Sequence, residues 1–225
     1  MELLEYHFSN ISGNLFYDEI TETYEMFSNV GIGKHLNYLT FKELFKNMLE
    51  IKDPQIIETG IASAGIHSTY LFNEYIKKYG GRFWSVDTNE YLVYTHQNNM
   101  CSGTTLVCND SVKFINDWVK YNNDKKIDVV YLDSYDLDWY NYHDSALHGL
   151  KEYTALLPSL KKGSLLLIDD TPRVPYWLDS RDKIYNDMSK FYDNNNYLPG
   201  KGMYILELNN RATKILHNYQ LLYKF

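Results

Sequence analysis

The sequence predicts an α/β fold in which a mostly parallel β-sheet carries helices on both faces. Between residues 55 and 170, short β-prone runs alternate with helical stretches, and almost every run ends at an acidic residue or a glycine turn. Alternation at this spacing is typical of βαβ units, whose crossover helices cover a parallel sheet. With 225 residues, the chain is long enough for one such domain with a short additional segment.

Five β-prone runs supply the predicted parallel strands. They are Gln55–Thr59, Arg82–Val86, Thr104–Val107, Ile127–Leu132 and Ser164–Ile168. The fourth and fifth are largely apolar, as expected for strands that are buried on both faces.

Helical stretches lie between these runs. They are His67–Tyr79, Asn89–Met100, Ser111–Tyr121 and Ser145–Leu157. Gly80–Gly81 ends the first, and Pro158 followed by Lys161–Gly163 marks the end of the last.

The regular alternation stops after Asp170. Thr171–Pro199 is polar, aromatic and rich in proline, and it is predicted to form a substrate loop inserted around 171–199. Met203–Leu208 and Gln220–Phe225 are then predicted to be two further strands. The stretch between them is short for a crossover helix, so we expect a tight reversal and one antiparallel strand.

Residues 1–52 precede the alternation and are predicted to form an N-terminal helical extension, either a lid or a dimer surface. Phe41–Ile51 has apolar residues at helical spacing, and Thr40 is a plausible N-cap. The main domain is therefore expected to span 53–225, and the sequence leaves a homo-oligomer open.

Composition excludes several classes of protein. The net charge of −7 argues against nucleic acid or an anionic membrane surface as the partner of this chain. The mean hydropathy is −0.44, and no apolar run approaches the roughly 18–20 residues of a membrane-spanning helix. The start of the chain lacks signal-peptide features, and two cysteines exclude a disulfide scaffold. We expect a cytoplasmic protein.

The turn after the first strand carries the first candidate site. It contains Glu58, Gly60 and Gly65 but matches neither the dinucleotide fingerprint nor a P-loop. An acid before the first glycine suits a cationic cofactor better than a pyrophosphate. Asp87, at the end of the second strand, could accept hydrogen bonds from both hydroxyls of a ribose. The glycines alone would also fit an ordinary turn from strand to helix.

In order and spacing, five segments resemble class I S-adenosylmethionine-dependent methyltransferases. They are IIETGIASAG, WSVDTN, LVCNDS, DVVYLDS and LKKGSLLLIDD. The resemblance covers about residues 55–170 and the terminal strand pair. It implies a Rossmann-like seven-stranded sheet of order 3-2-1-4-5-7-6 with strand 7 antiparallel.

The resemblance also implies which residues bind the cofactor. Those that would hold its methionine end are Glu58, Gly60, Gly65, Ser68 and Asp133. Asp87 would hold the ribose, and Asp110 with Ser111 would border the adenine. The distance from Gly60 to Gly65 is one residue longer than the common family pattern.

Three acids at the ends of the fourth and fifth strands predict a metal site. Neighbouring strands would place Asp133, Asp169 and Asp170 within reach of one cation, and their oxygen ligands suit Mg²⁺, or Mn²⁺ or Ca²⁺. The arrangement resembles metal-dependent O-methyltransferases of the catechol and macrolide-sugar type, and the cephalosporin hydroxylase-like branch. The alternative is that Asp169 or Asp170 caps the following turn and that Asp133 contacts only the cofactor.

Two residues are candidates for the general base. Asp144, His148 and Glu152 are spaced to share one helix face, and the usual pKa of histidine suits proton transfer near neutral pH. Asp136 lies where catechol-type enzymes carry a lysine. The alternative interpretation of the helix face is a solvated stripe.

Aromatic residues in and before the predicted substrate loop could stack on an acceptor or fill the core. They are Trp139, Tyr140, Tyr142, Tyr176, Trp177, Tyr185 and Tyr192. The sequence thus predicts a Mg²⁺-dependent O-methyltransferase acting on a small, hydroxylated, sugar-like molecule. The alternatives are a non-catalytic interaction module and a hydroxylase-like enzyme of the same fold.

Overall fold

The computed structural model describes residues 2–11, 15–18, 23–26, 34–62, 65–122, 124–173, 183–208 and 210–225. Across these ranges, no helix is both long and apolar enough to cross a membrane. Tyr176 and Trp177, two of the predicted acceptor-site aromatics, lie outside the described residues.

The N-terminal segment combines two helices with a small antiparallel sheet that the sequence did not predict. Helix α1 spans Glu2–Ser9 and α2 spans Tyr38–Met48. Strands β1, β2 and β3 lie in the order β2-β1-β3 and span Leu15–Asp18, Thr23–Met26 and Lys34–His35. Asn37 is the N-cap residue of α2, whereas Thr40, the predicted cap, lies inside the helix and its hydroxyl donates to the Asn37 carbonyl.

The main sheet has seven strands in the order β6-β5-β4-β7-β8-β10-β9. They span Gln55–Thr59 (β4), Arg82–Asp87 (β5), Thr104–Cys108 (β6), Ile127–Leu132 (β7), Leu160–Ile168 (β8), Thr213–His217 (β9) and Leu221–Lys224 (β10). Strands β4 to β8 are parallel, and β10 is antiparallel to both of its neighbours. In order along the chain this is 3-2-1-4-5-7-6, which confirms the predicted Rossmann-like topology.

Six helices of the described chain follow α2. They are α3 (Ser68–Tyr79), α4 (Glu90–Gln97), α5 (Ser111–Tyr121), α6 (Tyr142–Leu156), α7 (Lys183–Asn195) and α8 (Met203–Leu208). Helix α7 occupies part of the predicted substrate loop.

The prediction of a strand at Met203–Leu208 is wrong, because this segment is helix α8. The amides of Ile205 and Leu206 both donate to the Gly202 carbonyl, at 2.9 and 2.8 Å, which closes a helical turn. The sixth strand is instead β9, and the tight reversal into β10 lies at Asn218, whose amide donates to the Gln220 carbonyl. A short apolar run cannot be assigned by period alone.

Two hydrophobic clusters cover the two faces of the main sheet. Ile56 of β4 belongs to the cluster beneath α1, α2 and α3, and its neighbour Ile57 belongs to the cluster beneath α5 and α6. Both are fully buried. Successive side chains of a strand point to opposite faces, so a strand covered on both sides presents only its ends to ligands.

Candidate active site

A cleft of about 660 Å³ opens where β4, β5, β6 and β7 end. Its volume is within the usual range for small-molecule sites, and open α/β sheets bind ligands beyond the carboxyl ends of their strands. The predicted residues that line it are Gly60, Asp87, Asp110, Ser111, Asp133, Asp136 and His148. The fold thus brings candidates from four strand ends and from α6 into one cavity.

Gly60 forms the floor of this cleft and is held tightly against β7. Its φ is +87°, and a Cβ atom added there would lie 2.6 Å from the carbonyl oxygen of Asp133. Gly65 also has a positive φ, +59°, but no atom lies within 4 Å of its Cβ position. Close approach therefore requires glycine at Gly60, whereas backbone conformation alone favours it at Gly65.

Asp87 is oriented by two backbone amides. Its Oδ2 accepts a hydrogen bond from the Ile61 amide at 3.0 Å, and its Oδ1 accepts one from the Asn89 amide at 2.7 Å. These bonds connect the ends of β4 and β5 and fix the direction of the carboxylate at the cleft wall. Each carboxylate oxygen can accept a further bond, so the predicted ribose contact remains geometrically open.

Glu58 and Ser68 lie beneath the cleft instead of lining it. The carboxylate of Glu58 is fully buried and accepts hydrogen bonds from the hydroxyls of Ser68, Thr69 and Ser85 at 2.5–2.6 Å. Burial raises the pKa of Glu58 to about 7, although the three hydroxyls oppose this shift. These groups tie β4 to α3 and β5, and their predicted contact with the cofactor stays a prediction.

Asp110 and Ser111 stand where α5 begins. Asp110 is the N-cap residue, and its Oδ1 accepts a bond from the Lys113 amide at 2.8 Å. The hydroxyl of Ser111 lies 3.0 Å from Nε2 of His148. The pair therefore combines a helix cap with a polar contact to α6.

His148 belongs to a polar chain that crosses the cleft wall. Its Nε2 also lies 3.4 Å from Oε1 of Glu152, which is buried and accepts a bond from the Ser134 hydroxyl at 2.6 Å. The ring of Tyr135 stacks on the imidazole with centroids 5.5 Å apart. His148 thus lies beside Ser111, the residue predicted to border the adenine.

Two further acids are predicted near the candidate general base His148. Asp136 is exposed and lines the cleft. Asp144 lies one turn before His148 on α6 and accepts a hydrogen bond from the side-chain amide of Asn141 at 2.6 Å. The roles of His148 and Asp136 as proton acceptors stay predictions.

Asp133, Asp169 and Asp170 meet at the ends of β7 and β8, and we call these three residues the acidic rim. One oxygen from each lies within 4.8 Å of the others. Asp169 accepts a bond from the Gln220 amide at 2.8 Å, and Asp170 accepts one from the Tyr219 hydroxyl at 2.6 Å. Asp133 alone of the three lines the cleft, so it joins the rim to the cofactor candidates.

Lys201 enters the acidic rim, and no motif in the sequence singles it out. Its Nζ lies 3.0 Å from Oδ1 of Asp133 and 3.2 Å from Oδ2 of Asp170, and its side chain is only 3% exposed. The one signal in the sequence is a lysine between two glycines, Gly200 and Gly202. Nothing in the sequence places this turn, 31 residues after Asp170, beside the strand ends.

Charges within the rim shift one another's ionisation. Burial raises the pKa of Asp133 well above its usual value, and repulsion from Asp169 adds to this. Burial likewise raises the pKa of Asp169, with Asp170 as the next cause. Burial alone would lower the pKa of Lys201, but the three carboxylates more than reverse this and hold it above its ordinary value. Lys201 is therefore a permanent cation.

The acidic rim has the type of ligand atoms that a divalent metal needs, but a cationic side chain of the protein already lies among them. Carboxylate oxygens are the ligand type that Mg²⁺ prefers, yet the ammonium of Lys201 already binds two of the three acids. A metal ion among the same oxygens would lie beside that ammonium. Like unit charges about 4 Å apart repel by about 4 kcal/mol at an effective dielectric of 20, and a divalent ion doubles this.

Most of the described aromatic candidates pack in a small core and not in the cleft. Trp139, Tyr142 and Tyr192 surround the buried residues Ile184, Met188 and Leu198. Tyr140 is 76% exposed. The stacking aromatic that the structure does place in the cleft is Tyr135.

No family model matches the sequence, and no curated protein matches it. Solved structures with a similar fold do exist. The calicheamicin methyltransferase CalS11 gives a TM-score of 0.53 at 16% identity, over 83% of this chain and 77% of that chain. An apo structure of CalS11, a TDP-rhamnose 3′-O-methyltransferase of calicheamicin biosynthesis, gives 0.54 at 15% identity with the same coverage.

The carbon methyltransferase CurJ is also similar. It gives a TM-score of 0.51 at 11% identity, over 84% of this chain and 54% of that chain. At these identities the likeness concerns the fold. The chain therefore has the Rossmann-like fold of class I S-adenosylmethionine-dependent methyltransferases.

Proposed function

We propose that this protein transfers a methyl group from S-adenosylmethionine to a hydroxyl oxygen of a small, polar, sugar-like molecule in the cytoplasm. The observation that carries the proposal is the cleft, where Gly60 and Asp87 lie at adjacent strand ends of this fold. The likeness to CalS11, named as a sugar O-methyltransferase, supports oxygen as the atom methylated.

Two features of the cleft fit the cofactor. Gly60 lets the turn after β4 lie close against the end of β7, because a Cβ atom there would lie 2.6 Å from the Asp133 carbonyl oxygen, and both turns border the cleft. Asp87 is held by amides from the turns after β4 and β5, which presents both of its oxygens in a fixed direction. Charge-assisted bonds from a carboxylate to two ribose hydroxyls would give affinity and orientation together.

The acceptor belongs at the Asp133 side of the cleft in this proposal. When bound, S-adenosylmethionine supplies an electrophilic methyl group on a sulfonium sulfur. Asp133 borders both the cleft and the acidic rim, so a hydroxyl bound there would lie next to the cofactor's methionine end. The protein's contribution is then to hold the hydroxyl oxygen in line with the methyl group, with His148 or Asp136 as candidate proton acceptors.

The metal part of the sequence-based hypothesis is not carried into the proposed mechanism. The acidic rim offers suitable oxygens, but Lys201 supplies a cation from the protein itself. No step of the proposed mechanism uses a metal.

Calorimetry with S-adenosylhomocysteine tests the cofactor site. We expect Asp87→Ala to weaken binding by roughly tenfold to a hundredfold for each ribose bond that it removes, because a lost bond to a charged group costs about 1.5–3 kcal/mol. The matched control is Asp117→Ala, an exposed acid on α5 away from the cleft, which should bind as the wild type does.

Activity then separates an enzyme from a binding module. The wild-type protein is incubated with S-adenosylmethionine and a panel of hydroxylated acceptors that includes nucleotide-linked sugars, and methylated product is measured by mass spectrometry. Failure of the wild type to bind S-adenosylhomocysteine would contradict the proposal. Tight binding without transfer to any acceptor would favour the non-catalytic alternative.

A further inference from the structure

Lys201 is a buried cation built into the acidic rim. Its side chain is 3% exposed, and its ammonium contacts one carboxylate from the end of β7 and one from the turn after β8, at 3.0 and 3.2 Å. Lysine is almost never fully buried unless it is paired with an opposite charge. The contacts to Asp133 and Asp170 therefore explain both the position of the side chain and its tolerance of burial.

Close packing of the backbone fixes the turn that carries Lys201. The Lys201 amide donates to the Asp170 carbonyl at 3.0 Å, and the Gly202 amide donates to the Thr171 hydroxyl at 2.9 Å. A Cβ atom at Gly200 would lie 2.1 Å from the Asp170 carbonyl oxygen, and one at Gly149 of α6 would lie 2.6 Å from that of Lys201. The turn is thus held against the rim from both sides.

Protein donors reach every acid of the rim. Lys201 binds Asp133 and Asp170, Tyr219 donates to Asp170, and Gln220 donates to Asp169 at 2.8 Å. Buried carboxylates are tolerated when they are paired and hydrogen-bonded. The reason to invoke a metal, three acids without a counter-charge, therefore does not hold for this rim.

We propose that the ammonium of Lys201 takes the position between Asp133 and Asp170 that a divalent cation would otherwise occupy, so that the acidic rim functions without a metal. Lys201 is a positioning residue in this inference, because it holds the carboxylate of Asp133 where the rim meets the cleft. Only one consequence of the inference rests on the proposed function, namely that methyl transfer continues in EDTA. The geometry of the rim is independent of it.

A metal-binding experiment tests the inference without any assay of activity. Wild-type protein, Lys201→Met and Lys126→Met are stripped with EDTA, dialysed and titrated with Mn²⁺, with binding followed by electron paramagnetic resonance and by thermal unfolding. Lys126 is the matched control, since it pairs with Asp128 at 3.1 Å outside the rim. Methionine keeps most of the length of lysine and removes its charge.

We expect neither the wild type nor Lys126→Met to bind Mn²⁺ at about 1 mM, the weak end of the range for oxygen-ligand sites. Lys201→Met leaves three acids without their cation, so it should have a lowered Tm and should gain a Mn²⁺ site. Saturation at about a hundredfold excess over Kd should then raise its Tm by roughly 5–10 °C. A purely structural role for Lys201 would lower the Tm without creating a metal site.

The double variant Lys201→Met/Asp170→Asn covers the case in which the single variant does not fold. It removes one charge of each sign, so it should fold and should not bind Mn²⁺, because only two acids remain. Two results would overturn the inference. The first is saturable binding of Mn²⁺ to the wild type, if the substitution Asp170→Asn abolishes that binding. The second is a Lys201→Met protein that folds but does not bind Mn²⁺.

The activity arm distinguishes this inference from the proposed function. If the wild type binds S-adenosylhomocysteine and methylates an acceptor equally well in EDTA and in Mg²⁺, both stand. If it binds S-adenosylhomocysteine but transfers methyl groups only after Mg²⁺ is added, the inference fails and the proposed function stands. If it does not bind S-adenosylhomocysteine, the proposed function fails and the Mn²⁺ titrations still decide the inference.

Discussion

Gly60 occupies a backbone position that another residue could take only by moving the end of β7. Two features disfavour a side chain at this position. The φ of Gly60 is +87°, and an added Cβ atom would lie 2.6 Å from the Asp133 carbonyl oxygen. We expect Gly60→Ala to weaken S-adenosylhomocysteine binding about tenfold or more, measured by calorimetry, and to lower the Tm. Gly65→Ala, with positive φ but open space, should show only a conformational cost of about 1–2 kcal/mol. Equal effects of the two substitutions on binding would contradict this account of the floor.

The carboxyl group of Glu58 makes a contribution to the pH dependence of the free energy of unfolding that a single substitution can isolate. Its pKa is raised from 4.5 to about 7 in the folded protein, so the folded state holds a proton that the unfolded state releases. Stability from this group is therefore fully present below pH 4.5 and is lost as the pH rises to about 7, by about 3 kcal/mol in total. His35 and His217, whose pKa values burial lowers to about 4, act in the opposite direction between pH 4 and 6.5.

Glu58→Gln should remove this component, because glutamine keeps the shape and does not titrate. We expect the free energy of unfolding of the variant, minus that of the wild type, to rise by about 2–3 kcal/mol between pH 5 and pH 8. Urea unfolding at each pH measures it. Glu74→Gln, on a side chain 47% exposed, is the matched control at the surface. A difference for Glu58→Gln that stays constant between pH 5 and pH 8 would show that the buried carboxyl does not titrate in this range.

Single residues at the strand ends could be predicted from the sequence, whereas their partners could not. Each parallel strand places its last residue at the same edge of the sheet, so local pattern alone predicts the positions of Asp87, Asp133 and Asp169. Lys201 and Gln220 reach the rim from beyond the predicted substrate loop. Their positions depend on how that segment returns to the sheet, which no short-range pattern encodes.

At the scale of elements, helix α6 and the turn around Lys201 are fitted to each other. Gly149 faces the Lys201 carbonyl so closely that a Cβ atom would lie 2.6 Å from that oxygen. Alanine is favoured over glycine in a helix by about 1 kcal/mol, so Gly149→Ala would stabilise an isolated α6.

We nevertheless expect Gly149→Ala to lower the Tm, because the added methyl group must push the turn away from the rim. Thermal unfolding measures the change, and Lys151→Ala on the exposed side of α6 should stay within about 0.5 kcal/mol of the wild type. A rise in Tm for Gly149→Ala would show that helix propensity outweighs the contact and that the turn can yield.

Elements with a clear period or clear boundaries were predicted with few errors. β4, β7 and α5 match the predicted bounds, since glycine, acidic or polar residues flank an unambiguous apolar pattern. The error at Met203–Leu208 has a physical origin, because six residues are too few to separate a strand from a helix by period. Contacts of Gly202 with Thr171, distant in sequence, fix the helical start.

At the scale of the whole molecule, the N-terminal segment shares the hydrophobic core of the main sheet. Phe41 of α2 is fully buried, and its ring centroid lies 5.9 Å from that of Phe72 on α3 and 5.3 Å from that of Tyr131 on β7. His7 of α1 reaches the carbonyl of Ile66 at 2.7 Å. Helices α1 and α2 thus pack on the sheet, and this packing argues against a lid of residues 1–52 that moves independently.

Phe41→Ala decides between a shared core and a separable lid. Removing a buried phenylalanine costs about 3–5 kcal/mol, and at about 2–4 °C per kcal/mol this lowers the Tm of a chain of this size by roughly 6–20 °C. If α2 belongs to the cooperative unit, calorimetry should show one transition shifted by this amount. Leu49→Ala is the control just after α2, since Leu49 is 52% exposed and its loss should change the Tm little. A separate low-temperature transition in Phe41→Ala, with the main transition unmoved, would instead show that residues 1–52 unfold on their own.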